Sequence, residues 1–204
     1  MTATEAASCT ACPLAATRNR VVWGENTASP VPILLVGEAP GRYEDKDGKP
    51  FVGQAGKLLT SLLERAGLTR DDVAISNRCK CRPPDNRDPT PQERDACLPW
   101  LEEEVQTTQP AVIVLLGLSA ATWAHPMGKP KMAELRGKLK MLTVGEHQAI
   151  SIVTYHPAAA LRQGEVVERL IVADLVKARE MSSANLRRTN DRNMGHALSM
   201  DIPD

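Results

Sequence analysis

The sequence has few aromatic residues, no excess of either charge and no long apolar run. Its 204 residues include one Phe, two Tyr and three Trp, so an aromatic ring outside the predicted core calls for a functional explanation. Lysine and arginine together number 25, as do aspartate and glutamate. A nucleic-acid-binding surface would therefore have to be local. No apolar segment approaches the length of a transmembrane helix, which argues against a membrane partner.

The N-terminal segment MTATEAASCTAC lacks the basic start and apolar stretch of a secretory signal. This predicts a cytoplasmic protein, and structural disulfides are disfavoured in that compartment. The five cysteines of the chain therefore indicate metal ligation, redox chemistry or simple burial.

Short apolar runs alternate with helical patterns along most of the chain. The runs have the length of strands and lie at 33–37, 73–77, 111–116, in KLKMLTV and in AISIVTY; the helical patterns lie at 54–67, 90–105, in LSAATWA and at 165–180. This alternation predicts an α/β fold, a three-layer α/β/α sandwich around a mainly parallel central sheet. We expect one domain over 1–181 and a disordered polar tail over 182–204.

Three polar residues follow predicted strands. Glu38 comes after ILLVG, Asn77 ends DVAISN, and His156 follows AISIVTY. Because ligands bind beyond the carboxyl ends of strands in open α/β sheets, we expect the three side chains to converge at one edge. Each also has a structural interpretation, as a residue that satisfies loop N–H groups or ends a strand in a turn.

The cysteines suggest two pairs. Cys9 and Cys12 form a CxxC that precedes every strand, which is not the position of a thioredoxin-like redox motif. Cys81 and Cys97 are a second pair, while Cys79 is left over. Two pairs favour four-sulfur ligation of zinc or of an iron–sulfur centre, and the spacing does not separate the two. Strand alternation does not decide between Cys79 and Cys81, since residues two apart face the same side.

Four motifs occur in order: CTACPLAATRNRVVWG, GEAPGRYEDKDGKPFVGQAGKLL, KCRPPDNRDPTPQERDAC and TYHPAAALR. Together they resemble the iron–sulfur uracil-DNA glycosylases, family 4 of the uracil-DNA glycosylase superfamily, from about Cys9 to Arg179. The resemblance implies a [4Fe-4S] cluster on Cys9, Cys12, Cys81 and Cys97.

The resemblance also implies an activity: a glycosylase that flips uracil out of DNA and hydrolyses its N-glycosidic bond, leaving an abasic site. That reaction develops positive charge on the sugar and negative charge on the departing base. Glu38 is the candidate for directing water or stabilising the sugar cation, and His156 is the candidate donor to the uracil oxygen. The sequence departs from better-known relatives at Ala39, where those relatives carry the water-directing acid.

The base pocket follows from the same motifs. The only phenylalanine, Phe51, lies in a loop outside any apolar period, and the resemblance makes it the ring that stacks on uracil. Asn77 matches the position whose amide recognises the pyrimidine edge. Tyr43 is a candidate for excluding the C5 methyl group of thymine. The remaining substrate-binding candidates shape the loop after the first strand and are Gly37, Ala39 and Gly41.

Contacts with DNA phosphates are expected from basic residues in loops near the carboxyl edge of the sheet, although each alone could be a solvated surface charge. The candidates are Arg82, Arg87, Arg136, Lys138 and Arg162. We expect the partner to be uracil-containing DNA, single- or double-stranded, and the protein to act as a monomer.

Three other functions compete with this interpretation. A zinc nucleobase deaminase requires His-x-Glu before Pro-Cys-x-x-Cys, and no such motif precedes Cys9. A uracil-DNA binder of the same superfamily would form a stable or covalent complex with little turnover. One such branch uses a histidine in an inserted loop, whereas RPPDNRDPT after Cys81 contains none, which favours turnover. A non-enzymatic interaction domain stabilised by a metal site would not explain why the polar residues Glu38, Asn77 and His156 are expected to converge.

Overall fold

The protein is described by a computed structural model covering residues 2–125 and 130–197, with side chains described as far as residue 184. Five strands form one sheet in the order β2-β1-β3-β5-β4. The strands are β1 Ile33–Gly37, β2 Ala74–Asn77, β3 Val112–Leu116, β4 Leu139–Val144 and β5 His147–Thr154. All pairs are parallel except β4 with β5. The predicted mainly parallel sheet is confirmed.

The helices in the described part of the chain are α1 Ala3–Ala7, α2 Arg42–Asp47, α3 Gln54–Arg65, α4 Pro91–Thr108, α5 Leu118–Ala124, α6 Met132–Leu135, α7 Pro157–Gln163 and α8 Glu165–Ala197. Short 3-10 helices lie at Pro13–Ala16, Arg70–Asp72 and Pro84–Asn86. The sequence predicted α3, α4, α5 and the first half of α8, but not α1, α2, α6 and α7. None of the described helices has the length and apolar character needed to cross a membrane.

Helices cover both faces of the sheet. Successive residues of β1 face opposite sides, as strand geometry requires, so Leu35 packs in one core and Leu34 in the other. The first core contains residues of α3, α7 and α8, and the second contains residues of α4, α5 and α6. Because both faces are buried, β1 and β3 are apolar throughout rather than alternating.

The start of α4 follows the capping pattern expected from its sequence. The side chain of Thr90 accepts a hydrogen bond from the Glu93 backbone N–H at 3.2 Å, and the Glu93 carboxylate accepts one from the Thr90 N–H at 2.8 Å. Pro91 occupies the first turn, where its missing N–H is not needed. These contacts set where α4 begins, and α4 carries Cys97 and Glu104.

The last helix is longer than its apolar pattern indicates. The sequence predicts a helix over 165–180 followed by a polar tail from 182, whereas α8 continues through Ala197. No proline interrupts this stretch, so nothing in the backbone chemistry forces the helix to end earlier. Residues 198–204 of the predicted tail lie outside the described residues.

Candidate active site

The sheet register brings Gly37 and Asn77 side by side. They are partners at the carboxyl ends of the parallel strands β1 and β2. A Cβ atom added to Gly37 would lie 2.3 Å from Asn77 Oδ1 and 2.7 Å from Phe51 Cζ. Only glycine leaves room for both side chains, so these three residues are packed together at the carboxyl edge of the sheet.

The Phe51 ring also contacts the His156 ring. Their ring centroids are 5.6 Å apart, and the ring planes are inclined by 31°. Phe51 is only 6% exposed and also packs within the core beneath α3. The structure therefore places this ring in the core as well as beside His156, whereas the sequence indicated a position outside the core; its stacking on uracil stays a prediction.

The start of α7 holds His156 in one tautomer. His156 is the N-cap residue, and its Nδ1 accepts a hydrogen bond from the Ala158 backbone N–H at 3.1 Å. Burial lowers the pKa of His156 to about 4; the charge of Arg162 acts in the same direction, and that of Glu44 opposes it. A neutral imidazole whose Nδ1 is an acceptor carries its proton on Nε2. The ring can thus donate a hydrogen bond from Nε2.

Glu38 is bound to the first turn of α5. The Ser119 hydroxyl donates a hydrogen bond to Glu38 Oε1. The pKa of Glu38 is raised, chiefly because the carboxyl group is buried. The hydrogen bond from Ser119 and the charges of Arg94 and Arg78 oppose this shift but do not cancel it. The carboxylate is half-buried. Its fixed orientation and its altered proton affinity are typical of a functional carboxylate.

The segment from Gly117 to Ser119 connects the two catalytic candidates. Gly117 has φ of +90°, and a Cβ added there would lie 3.0 Å from His156 Cβ. Its N–H donates to the Thr154 carbonyl at 2.8 Å. Gly117 therefore lies against His156 while Ser119 binds Glu38. Neither residue was predicted from the sequence, although the strand–Gly–helix pattern of VIVLLGLSAATWA indicates this turn.

Glu44 organises the loop that follows β1. Its carboxylate accepts hydrogen bonds from the N–H groups of Gly41 at 3.1 Å, Val52 at 3.0 Å and Gly53 at 2.8 Å. It thereby joins the loop after β1 to the segment that contains Phe51. This role of Glu44 was not predicted, because nothing in the motif distinguishes it from a solvent-exposed glutamate on a helix.

The remaining loop candidates are less enclosed. Tyr43 is 61% exposed, and its ring borders Gly53, where an added Cβ would lie 3.3 Å from Tyr43 Cδ2. Ala39 and Gly41 are half-buried. Exclusion of a thymine methyl group by Tyr43 stays a prediction.

A buried ion pair between Lys80 and Glu104 contacts the backbone of Asn77. The Lys80 ammonium donates to the backbone carbonyl of Asn77 at 2.9 Å and to Ser76 Oγ at 2.6 Å. It also pairs with the Glu104 carboxylate at 2.5 Å. Both charged side chains are almost fully buried. Trp23 lies beneath the ammonium, with its ring centroid 5.6 Å away. No local pattern in KCRPP indicates that this lysine is internal.

Four cysteines line one cavity between the N-terminal segment and α4: Cys9, Cys12, Cys81 and Cys97. Cys79 is buried but does not line it. Within residues 2–125 and 130–197, no three ligating side chains are close enough together to hold a single metal ion. The thiols instead surround a shared space, and this arrangement separates Cys81 from Cys79, which the sequence pattern alone did not.

The cavity cysteines differ in proton affinity. A hydrogen bond from Cys79, together with the charge and backbone N–H of Lys80, lowers the pKa of Cys97 to about 7 against the opposing effect of burial. Burial raises the pKa of Cys81 to about 11, although Arg18 donates to its sulfur at 3.6 Å. Two of the sulfurs thus already accept hydrogen bonds, from the Arg18 guanidinium and from the Lys80 backbone N–H, which would favour their thiolate forms.

Some of the predicted DNA-contacting residues are bound to other side chains, whereas others are exposed. Arg87 pairs with Glu93 at 2.7 Å, Arg136 pairs with Asp174 at 2.9 Å, and Arg82 donates to Asn86 at 2.7 Å. Lys138 and Arg162 are exposed, and Arg162 is close enough to influence His156. Contact of each of the five with DNA stays a prediction.

The sequence matches the family described as the uracil DNA glycosylase superfamily over residues 25–176. It is 41% identical over 195 residues to the type-4 uracil-DNA glycosylase of Sulfurisphaera tokodaii, covering 94% of this chain and 88% of that relative. The type-4 enzyme of Thermotoga maritima is 42% identical over 172 residues, covering 84% and 88%. The type-5 uracil-DNA glycosylase of Thermus thermophilus is 32% identical over 211 residues, covering 86% and 94%.

Proposed function

The chain belongs to the uracil DNA glycosylase superfamily, and we propose that it is a DNA repair enzyme that removes uracil from DNA. It hydrolyses the N-glycosidic bond and leaves free uracil and an abasic site. The observation that carries the proposal is the contact of Gly37, Phe51 and Asn77 at neighbouring strand ends, with the His156 ring beside them. This pocket combines a stacking ring, an amide and an imidazole donor.

Uracil recognition depends on Phe51 and Asn77. The flipped base stacks on the Phe51 ring, since base–aromatic stacking is a general means of holding an unpaired base. The Asn77 amide offers one donor and one acceptor to the pyrimidine edge. Lys80 supports this recognition by holding the backbone carbonyl of Asn77 at 2.9 Å. Gly37 allows the Asn77 amide and the Phe51 ring to approach each other closely.

His156 stabilises the leaving group. As the bond between C1′ of the sugar and N1 of uracil breaks, the electron pair stays with the base, which becomes an anion. His156 donates a hydrogen bond from Nε2 to the uracil oxygen where negative charge develops. Its low pKa keeps the imidazole neutral at pH 7, so it acts as a hydrogen-bond donor and keeps its proton.

Glu38 acts on the sugar side of the bond. Its carboxylate orients the water that attacks C1′ or stabilises the cationic character of the sugar, and Ser119 fixes its orientation. Ala39 offers no carboxylate at the neighbouring position, so Glu38 is the acid of this loop that is available for the role. The water oxygen bonds to C1′, and its proton is released as the uracil anion is protonated.

The four cysteines around the shared cavity fit a [4Fe-4S] cluster, which we propose as the resident cofactor. Cys9, Cys12, Cys81 and Cys97 would hold it as thiolates. Such a cluster supplies a structural crosslink between the N-terminal segment and α4. The Arg18 guanidinium and the Lys80 backbone N–H support this assignment because they donate to sulfurs that would be negative.

The partner is DNA that contains uracil, single- or double-stranded, and we expect a cytoplasmic monomer. Arg162 is the best placed of the basic candidates, since it is exposed and close to His156. Arg82, Arg87 and Lys138 would contribute at the rim. Arg136 would have to leave Asp174 to do so.

The decisive experiment incubates the purified protein with a labelled oligonucleotide that contains one uracil, followed by alkali and a denaturing gel. A cleavage product that accumulates beyond one equivalent of enzyme is expected. An oligonucleotide with thymine at the same position is the matched control and should remain intact. Stoichiometric binding without accumulating product would instead identify a uracil-DNA binder.

A further inference from the structure

Phe51 has a backbone conformation that side chains rarely adopt. Its φ is +52°, in the left-handed region that is disfavoured for residues with a Cβ atom. Such a conformation persists only when the surrounding structure holds it in place. Because this ring is the proposed stacking partner of uracil, whatever holds its backbone also sets the position of the ring.

Arg70 contacts the backbone of Phe51 through hydrogen bonds. Its guanidinium donates to the Phe51 carbonyl at 3.2 Å, to the Pro50 carbonyl at 3.1 Å and to Thr60 Oγ1 at 3.4 Å. One side chain thus satisfies two successive carbonyls and connects them to α3. None of these contacts is made to a side chain of the base pocket.

Glu25 fixes Arg70 in turn. Its carboxylate accepts hydrogen bonds from Arg70 Nε at 3.1 Å and from the Arg70 terminal nitrogen at 2.5 Å, a two-point geometry that defines the plane of the guanidinium. The backbone of Glu25 exchanges two hydrogen bonds with Ile75 of β2, at 2.8 and 3.0 Å. A continuous set of contacts therefore runs from the sheet through Glu25 and Arg70 to the Phe51 carbonyl.

Gly56 allows the same carbonyl to approach α3. A Cβ atom added to Gly56 would lie 1.8 Å from the Phe51 oxygen and 2.0 Å from its carbonyl carbon. Any larger residue would force the Phe51 backbone to move. Gly56 and Arg70 thus constrain one carbonyl group from two sides.

We propose that Arg70, oriented by Glu25, and Gly56 are positioning residues that hold the Phe51 ring in place for stacking on uracil. The inference rests on the proposed glycosylase function. Without Arg70, two carbonyls lose their donors and the Phe51 backbone relaxes toward negative φ. The ring then leaves its place between Gly37 and His156, and the flipped base loses its stacking partner.

The chain offers a direct readout of this ring, because Phe51 is its only phenylalanine. Protein labelled with ring-¹³C phenylalanine gives signals from this residue alone. Arg70→Met should shift or broaden those signals. Arg65→Met is the matched control, since it breaks an arginine–glutamate pair with Glu168 on the surface, and it should leave them unchanged.

The activity test is a double-mutant cycle under single-turnover conditions. Arg70→Met should slow uracil excision by about 5- to 150-fold, the range expected for loss of a base–aromatic stack. In a Phe51→Ala background the same substitution should have little further effect, because there is no ring to position. Gly56→Ala should behave in the same way, and Arg65→Met should match the wild type.

Two results would overturn the proposal: an equal loss from Arg70→Met with and without the Phe51 ring, or unchanged ring signals and rates in that variant. If Arg70→Met does not fold, Arg70→Lys replaces it in the same cycle, because it keeps the charge but not the forked donors. An inactive wild type would refute the proposed function instead, and the ring signals would still test the positioning.

Discussion

His156 should remain neutral well below the pH at which an ordinary histidine becomes charged. Burial lowers its pKa from 6.5 to about 4, and Arg162 adds to the effect. Since a tenfold change in a protonation equilibrium is worth about 1.4 kcal/mol, protonating this ring in the folded protein costs about 3 kcal/mol more than in the unfolded chain. That cost is the quantity to measure.

The sign of the effect on stability follows from the lowered pKa. Above pH 6.5 the ring is neutral in both states, so it has no pH-dependent effect there. As the pH falls from 6.5 toward 4, the unfolded chain binds a proton that the folded protein does not, and the free energy of unfolding decreases. Below about pH 4 both states are protonated and the loss, about 3 kcal/mol in total, is complete.

Two measurements test this. Urea unfolding of wild type and His156→Gln at pH 7, 6, 5 and 4.5 should show a steeper loss of stability in the wild type, because the other titrating groups are common to both proteins. In ¹⁵N NMR spectra, the one of four histidine signals that is absent from His156→Gln should show a proton on Nε2 and no titration near pH 6.5. A midpoint at 6 to 7 would refute the reasoning, and so would a proton on Nδ1.

Three further predictions concern the rest of the site. If the proposed [4Fe-4S] cluster is present, Cys81→Ser should lose iron and brown colour relative to the wild type, whereas Cys79→Ser should retain both, because Cys79 does not line the shared cavity. Iron analysis and visible absorption of the wild type and both variants measure this. Glu38→Gln should lower the single-turnover rate by about 10²–10³-fold with little change in affinity for uracil-containing DNA. Lys80→Met should lower the free energy of unfolding by about 3–5 kcal/mol in urea titrations, because it leaves the Glu104 carboxylate buried without a partner.

Each of these has an outcome that contradicts it. Equal loss of iron from both cysteine variants would remove the distinction between Cys79 and Cys81, and stoichiometric zinc without iron would exclude the cluster. Near-native cleavage by Glu38→Gln would assign water positioning to another group of the loop. Native stability of Lys80→Met would mean that Glu104 finds a new partner or takes up a proton.

Local patterns were enough to predict the main elements. Strands β1 and β3 are apolar throughout because both faces of the sheet are covered, and such runs are visible in the sequence. The start of α4 was predictable because the residues that cap it lie within four positions of one another. The end of α8 was not, since its polar second half lacks the periodicity from which a helix is inferred.

The sequence by itself determined which chemical groups stand at the strand ends: a carboxylate at Glu38, an amide at Asn77 and an imidazole at His156. Only the tertiary structure decided how they are held. Ser119 reaches Glu38 across 81 positions of sequence, Arg70 holds the Phe51 backbone from 19 positions away, and Lys80 joins Asn77 to Glu104. Such contacts depend on strand register and helix packing between distant segments, and no local pattern records which distant groups will meet.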